Sequence, residues 1–256
     1  MKKRVLFLVI TTVFLGTSCQ QETDSSNVTA AAIVERNNWN SAKLGSDFSK
    51  SQQKVTAYLF DKEKFQLLGS NPKVNFVKFV LGYEGKNIQI TAVGVDNNGK
   101  EIQFIKSNIF YNNSFKKQIN RLSATPDNSS KRQKVIIKHL LSPKSALNYI
   151  NAWQEKLQKV NGLDEATSYY SQRIRHYNIE KEVILDMAQI ANLANIALFL
   201  GINSEGKMTT VFVGFDKDNN LILPDSRTLK GETSSSVYDF TSPCPPNGDP
   251  NSPLNN

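Results

Sequence analysis

The chain is expected to be an α+β protein built as two tandem repeats, each two helices followed by a three-stranded antiparallel meander. Three observations predict this. Motifs recur in the same order along the chain. Each recurring block opens with helix-capping chemistry. Each closes with alternating apolar runs divided by Gly, Asn and Asp turns. At an offset of 119 residues, Asp61-Lys-Glu-Lys-Phe65 answers Glu180-Lys-Glu-Val-Ile184, and Phe79-Val-Leu81-Gly82 answers Leu198-Phe-Leu200-Gly201. Val93-Gly94-Val95-Asp96 answers Val213-Gly214-Phe215-Asp216 at 120, and Asn37-Asn38-Trp39 answers Asn151-Ala152-Trp153 at 114. The spacing changes fall in turns, where insertions are cheap.

Residues 1–18 read as an export signal. Lys2, Lys3 and Arg4 precede an apolar run from Val5 to Gly16, and small residues lead to Cys19. The run is too short for a stable spanning anchor. Small residues directly before Cys19 resemble the lipobox of bacterial lipoproteins, in the loose Bacteroidota form: Gly16 stands where Leu is usual, with Leu15 one place earlier. The resemblance implies cleavage before Cys19 by signal peptidase II and acylation of its thiol. Several acyl chains on one residue hold a protein on a membrane, since each buried methylene contributes about 0.8 kcal/mol. The resemblance places the protein in the cell envelope, at the outer membrane, with the membrane face open. An ordinary secretory signal with an incidental cysteine is the alternative. Residues 19–29 are polar at first and read as a tether.

The first module spans 30–105. Asp61 caps a helix to Leu68 that Gly69 ends. Val74–Leu81 and Ile88–Val95 are strands joined by a turn at Glu84-Gly85-Lys86. Asp96-Asn97-Asn98-Gly99 turns into a third short strand through Phe104. Residues 106–141 form a basic connector with a polar loop, and Val135–Leu141 reads as a strand. The second module spans 142–223. Ser142-Pro143 caps its first helix, with Ala146, Ile150, Trp153, Leu157 and Val160 on one face and Gly162 as the stop. A second helix runs from Glu180 to about Leu193, followed by strands Ile196–Ile202, Met208–Phe215 and Leu221–Leu223. Residues 224–256 form a Pro-rich tail, read as extended or disordered. The F-x-L-G, G-K and V-G-V-D motifs with Cys244-Pro245-Pro246 resemble a Bacteroidota family that ends in C-P-P-x-C; here Gly248 replaces the second Cys. That resemblance implies a fold and no activity.

Composition limits function. Apolar residues are 39%, lean for a globular chain, but 14 Phe and 8 Tyr supply large core groups. Two Cys and two His argue against a disulfide framework and a Cys/His metal site. Residues 100–181 carry 15 Lys+Arg against 6 Asp+Glu. Such a belt attracts anionic glycan or lipid headgroups, with Lys131, Arg132 and Lys134 as the candidate contacts; a solvated basic face is the alternative. No aromatic interleaving marks a nucleic-acid binder. Asp216, Asp218 and Asn220 share the first spacings of an EF-hand, but Leu221 and Arg227 stand at the positions of its Gly and Glu, so a hairpin turn is expected. No nucleophile motif or carboxylate pair appears, and His139 and His176 read as surface or structural residues. Neither a catalytic residue nor a cofactor is assigned. The expected role is a non-enzymatic envelope lipoprotein with a binding or structural function and an envelope protein or anionic glycan as partner. The rival is an envelope hydrolase with a site between the modules. Polar residues that break the repeat symmetry would mark a functional groove.

Overall fold

Two long hairpins, one per half of the chain, organise everything else. The computed structural model describes residues 25–112, 115–125, 134–223, 237–239 and 241–245. The first half contains α1 (Ser25–Ser41), α2 (Ser46–Gln52), β1 (Ala57–Asp61), α3 (Lys62–Ser70), β2 (Phe76–Glu84), β3 (Asn87–Val95), β4 (Glu101–Lys106) and β5 (Asn108–Phe110). The connector holds α4 (Lys116–Ile119), a 3-10 turn (Asn120–Ala124), α5 (Lys134–Ile137) and β6 (Leu140–Leu141). The second half contains α6 (Pro143–Lys159), α7 (Leu163–Ala166), β7 (Ser168–Tyr169), β8 (Gln172–Arg173), β9 (His176–Glu180), α8 (Lys181–Ala188), β10 (Asn195–Ile202), β11 (Met208–Phe215) and β12 (Leu221–Ile222). The tail adds β13 (Val237–Tyr238) and β14 (Ser242–Cys244).

Local chemistry explains most of these boundaries. Asp61 Oδ1 accepts from the Lys64 N–H at 3.0 Å and starts α3. Ser142 Oγ accepts from Ser145 N–H at 3.1 Å, with Pro143 in the first turn of α6. Gly85 and Lys86, at φ 55° and 75°, form the two-residue link between β2 and β3. Asp96 Oδ1 accepts from the backbone of Asn98 and Lys100, at 2.8 and 2.9 Å. Asp216 Oδ1 does the same for Asp218 and Asn220, at 2.9 and 2.8 Å, so its carboxylate closes a hairpin turn.

The chain is α+β with antiparallel sheets, but the sheets are larger than the expected three-stranded meanders. The first sheet runs β5-β1-β10-β11-β13-β6, with β12 also on β11; the second runs β14-β9-β2-β3-β4. Among the strands absent from the expectation are β1 and β9, and these two are exchanged. β1, from the first half, pairs with β10; β9, from the second half, pairs with β2. Tyr58 lies opposite Leu198 and Tyr177 opposite Phe79. Asp61 lies opposite Asn195 and Glu180 opposite Phe76. These registers coincide when one half is shifted by 119 residues. Each exchanged strand covers a hairpin edge that would otherwise expose unpaired backbone groups.

The core lies between the sheets. Phe79 packs 5.7 Å from Phe60, 6.0 Å from Phe65 and 4.8 Å from Phe212, centroid to centroid. Phe65 and Ile184 are both fully buried, on helices α3 and α8 that pack against one another. Helix α1 covers the outer side of β2 and α6 that of β10. Both crossings need a glycine. A Cβ on Gly82 would sit 2.9 Å from Glu35 Cβ; one on Gly201 would sit 2.9 Å from Tyr149 Cβ and 3.2 Å from the Tyr149 backbone carbon. Gly201→Ala is therefore expected to push α6 off the sheet and cost about 1–3 kcal/mol in urea unfolding. An unchanged midpoint would show that α6 does not seat there.

Several readings are corrected. Val135–Leu141 is not one strand: α5 ends at Ile137, and only Leu140–Leu141 pairs, because Ile136 is buried while Ile137 is 50% exposed. A short apolar run does not distinguish helix from strand. Helix α8 stops at Ala188. Helix α6 stops at Lys159, since Val160 is already left-handed at φ 58°. Residues 25–29, read as tether, lie in α1. The tail contributes two strands with Val237, Tyr238 and Cys244 buried. His139 and His176 are both inside.

Candidate anion-binding site

The outer faces of the two sheets differ in kind. On the first sheet that face is apolar: Ala57, Ala197, Phe199, Val211, Val213 and Phe215 are buried beneath α6 and the connector, where Phe115 stacks 6.0 Å from Phe199. On the second, Val80, Val93 and Val95 form a smaller buried apolar cluster, and three register positions beside it hold polar groups instead. Strand β9 carries His176 and Asn178 where β1 carries Ala57 and Leu59, and β2 carries Lys78 where β10 carries Ala197. His176 and Lys78 are fully buried.

Strand pairing sets the layout. Asn178 is flanked by Lys78 on β2 and Ser242 on β14; His176 is flanked by Val80 and Cys244. Directly opposed residues stand about 5 Å apart at Cβ, and diagonal ones about 7–8 Å. Arg175 enters just before β9. Its N–H donates to Cys244 O at 2.8 Å, its carbonyl accepts from Leu81 N–H at 2.9 Å, and its Nη2 lies 3.7 Å from Cys244 Sγ. Arg36 reaches in from α1, where Glu101 accepts from Nη2 at 3.3 and 3.2 Å, leaving the buried Nε without a hydrogen-bond partner.

Both ring nitrogens of His176 and Oδ1 of Asn178 are likewise buried, with no hydrogen-bond partner among the described residues. Burial, then the charges of Lys78, Arg175 and Arg36, push the His176 imidazole down to about 3. It is therefore a neutral ring, one N–H donor and one lone pair. Each unmet buried group costs about 1–3 kcal/mol. Among the described residues the cluster thus leaves Arg36 Nε and one His176 N–H as donors, and the other His176 nitrogen and Asn178 Oδ1 as acceptors, in a desolvated setting.

A second buried polar cluster has its hydrogen bonds met. His139 Nδ1 lies 3.1 Å from Asp239 O, and Nε2 lies 2.7 Å from Glu180 Oε2. Glu180 also pairs with Lys138. Burial raises the Glu180 carboxyl, but Lys138, its own backbone N–H and the nearby His139 outweigh this and hold it below its ordinary value. Thr209 Oγ1 donates to Asp239 Oδ1 at 2.8 Å. These bonds tie the tail and connector to the start of α8 and read as structural.

Cys19, Lys131 and Arg132 lie outside the described residues. Lys134 stands exposed at the start of α5 and takes no part in the cluster. Trp39 and Trp153 are both buried; Trp39 Nε1 donates to Ile174 O at 2.6 Å. Among the described residues, no group of three His, Cys, Asp or Glu could hold a metal ion. The cluster was within reach of the sequence: at the 119-residue offset, His176 falls on Ala57, Asn178 on Leu59 and Lys78 on Ala197. No family model, curated protein or solved structure matches the chain.

Proposed function

We propose that this protein is a lipid-anchored lipoprotein of the cell envelope, acylated at Cys19 at the outer membrane, with a non-enzymatic binding role and a small oxyanion as ligand. Its body is an internal duplication of a helix-helix-meander module in which one copy has kept an apolar outer face and the other has acquired the site. One observation carries the reading: Lys78, His176 and Asn178 are polar at register positions where the other half is satisfied with Ala197, Ala57 and Leu59. Apolar residues evidently fill such positions without loss, whereas His176 and Asn178 carry unmet hydrogen bonds. An oxyanion that accepts from the His176 N–H, and whose protonated oxygen or hydroxyl donates to Asn178 Oδ1, offsets that cost.

The test uses the counterpart residues. The triple variant Lys78→Ala, His176→Ala and Asn178→Leu is expected to be folded and to unfold at a higher temperature than the natural chain. Added phosphate, sulfate or citrate should raise the midpoint of the natural chain and leave the variant unmoved, because ligand binding to the folded state stabilises it by mass action. A natural chain indifferent to all three anions would refute the binding role. The anchor is tested separately. Cys19→Ala should shift the protein from the membrane to the soluble fraction of cells, and retention on the membrane would refute acylation there.

A further inference from the structure

A separate cleft of about 460 Å³ lies beside the β7–β8 hairpin, and it does not depend on the anion site. Its wall includes Asn40 from α1, Asp164 and Glu165 from α7, Tyr170 and Arg173 from the hairpin, and Lys207 before β11. At the matching point of the first half the chain forms helix α2, so the hairpin belongs to one half only.

The tip of this hairpin is chemically unusual. Tyr170 and Ser171 occupy left-handed backbone conformations, φ 49° and 63°. Two-residue hairpin links of this kind favour Asn-Gly, and a residue with a bulky side chain is strained there. The Tyr170 ring gains no packing in return, being 84% exposed. Strain retained without a structural gain is characteristic of ligand-contacting positions.

The rest of the cleft is mixed in charge. The Arg173 guanidinium lies 5.0 Å from the Trp39 ring centroid, and Nη2 donates to Asp164 Oδ1 at 2.7 Å. This holds the fork in place while Nη1 is buried with no hydrogen-bond partner among the described residues. Lys207 Nζ sits 5.4 Å from the Tyr169 ring centroid and donates to Glu165 O at 2.9 Å. Two carboxylates balance two cations. An anion would meet Asp164 and Glu165, and an apolar ligand would strand every polar group in the wall. A ligand with many hydroxyls that both donate and accept, and with a C–H face to lay on an aromatic ring, satisfies both halves of the site. The volume is that of an ordinary small-ligand cleft.

We infer that this cleft binds a neutral saccharide, with Tyr170 as the stacking platform and Arg173, Asp164 and Asn40 as the hydrogen-bonding wall. The test titrates the full mature chain with maltohexaose, cellohexaose and chitohexaose by calorimetry. At least one should bind with a Kd below about 1 mM. Tyr170→Gly should weaken that binding about tenfold or more while raising the thermal midpoint, because Gly adopts φ 49° without strain. That opposed pair of effects separates a ligand platform from a structural residue. The inference is overturned if none of the three sugars binds at about 5 mM, if Tyr170→Gly binds as well as the natural chain, or if a sulfated heparin hexasaccharide binds more tightly than all three.

Discussion

Lowering the pH from 6.5 towards 3 is expected to destabilise the protein by up to about 5 kcal/mol through His176 alone. The folded ring is held at about 3, against 6.5 when free. Between those values the unfolded chain takes up a proton that the folded chain refuses. His176 therefore leaves stability intact above pH 6.5 and removes it progressively as the pH falls, with no further loss below about 3. Urea midpoints of the natural chain and of His176→Ala, measured from about pH 7 to about pH 4, check this. Glu180 also loses favourable pairing in acid, but it does so equally in both proteins, so the difference between the two curves isolates His176. The variant should decline less steeply. Parallel curves would mean that the ring is solvated or paired with an acid in the folded state.

Phe79→Ala is expected to cost about 3–5 kcal/mol, the range for a large aromatic removed from a packed interior. Phe79 is fully buried, and its three aromatic neighbours come from β1, α3 and β11. It therefore joins the two sheets and both halves at once, and its loss leaves a void that no single element can close. Chemical unfolding reads the loss directly. A change below about 1 kcal/mol would show that the seam between the sheets is filled by other groups.

Much of the local structure was legible in the chain. The capping residues Asp61 and Ser142, the Gly85-Lys86 link and the Asp96 and Asp216 turns are short-range devices, in which a side chain bonds to backbone within four residues or a link sits between adjacent strands. Such chemistry depends on neighbours in sequence and is visible there. Gly94 in the repeated motif marks a close approach, since a Cβ there would come within 2.7 Å of Leu68 and Val74. The connector and the tail resisted, because Val135–Leu141 and the Val237–Tyr238 strand are too short for periodicity to select a partner.

The sequence by itself determined the β2–β3 and β10–β11 hairpins, their turns, the starts of α3, α6 and α8 and the spacing at which motifs recur, because these are settled by contacts among near neighbours. Only the tertiary structure decided which hairpin each of β1 and β9 would join. Each strand offers the same alternation to either edge, and the choice turns on where α3 and α8 can meet across the core. That exchange sets the faces as well. His176 lies beside Lys78 only because β9 crosses to the other half's sheet, so a cationic, desolvated cluster forms from residues that sequence reading placed in separate modules.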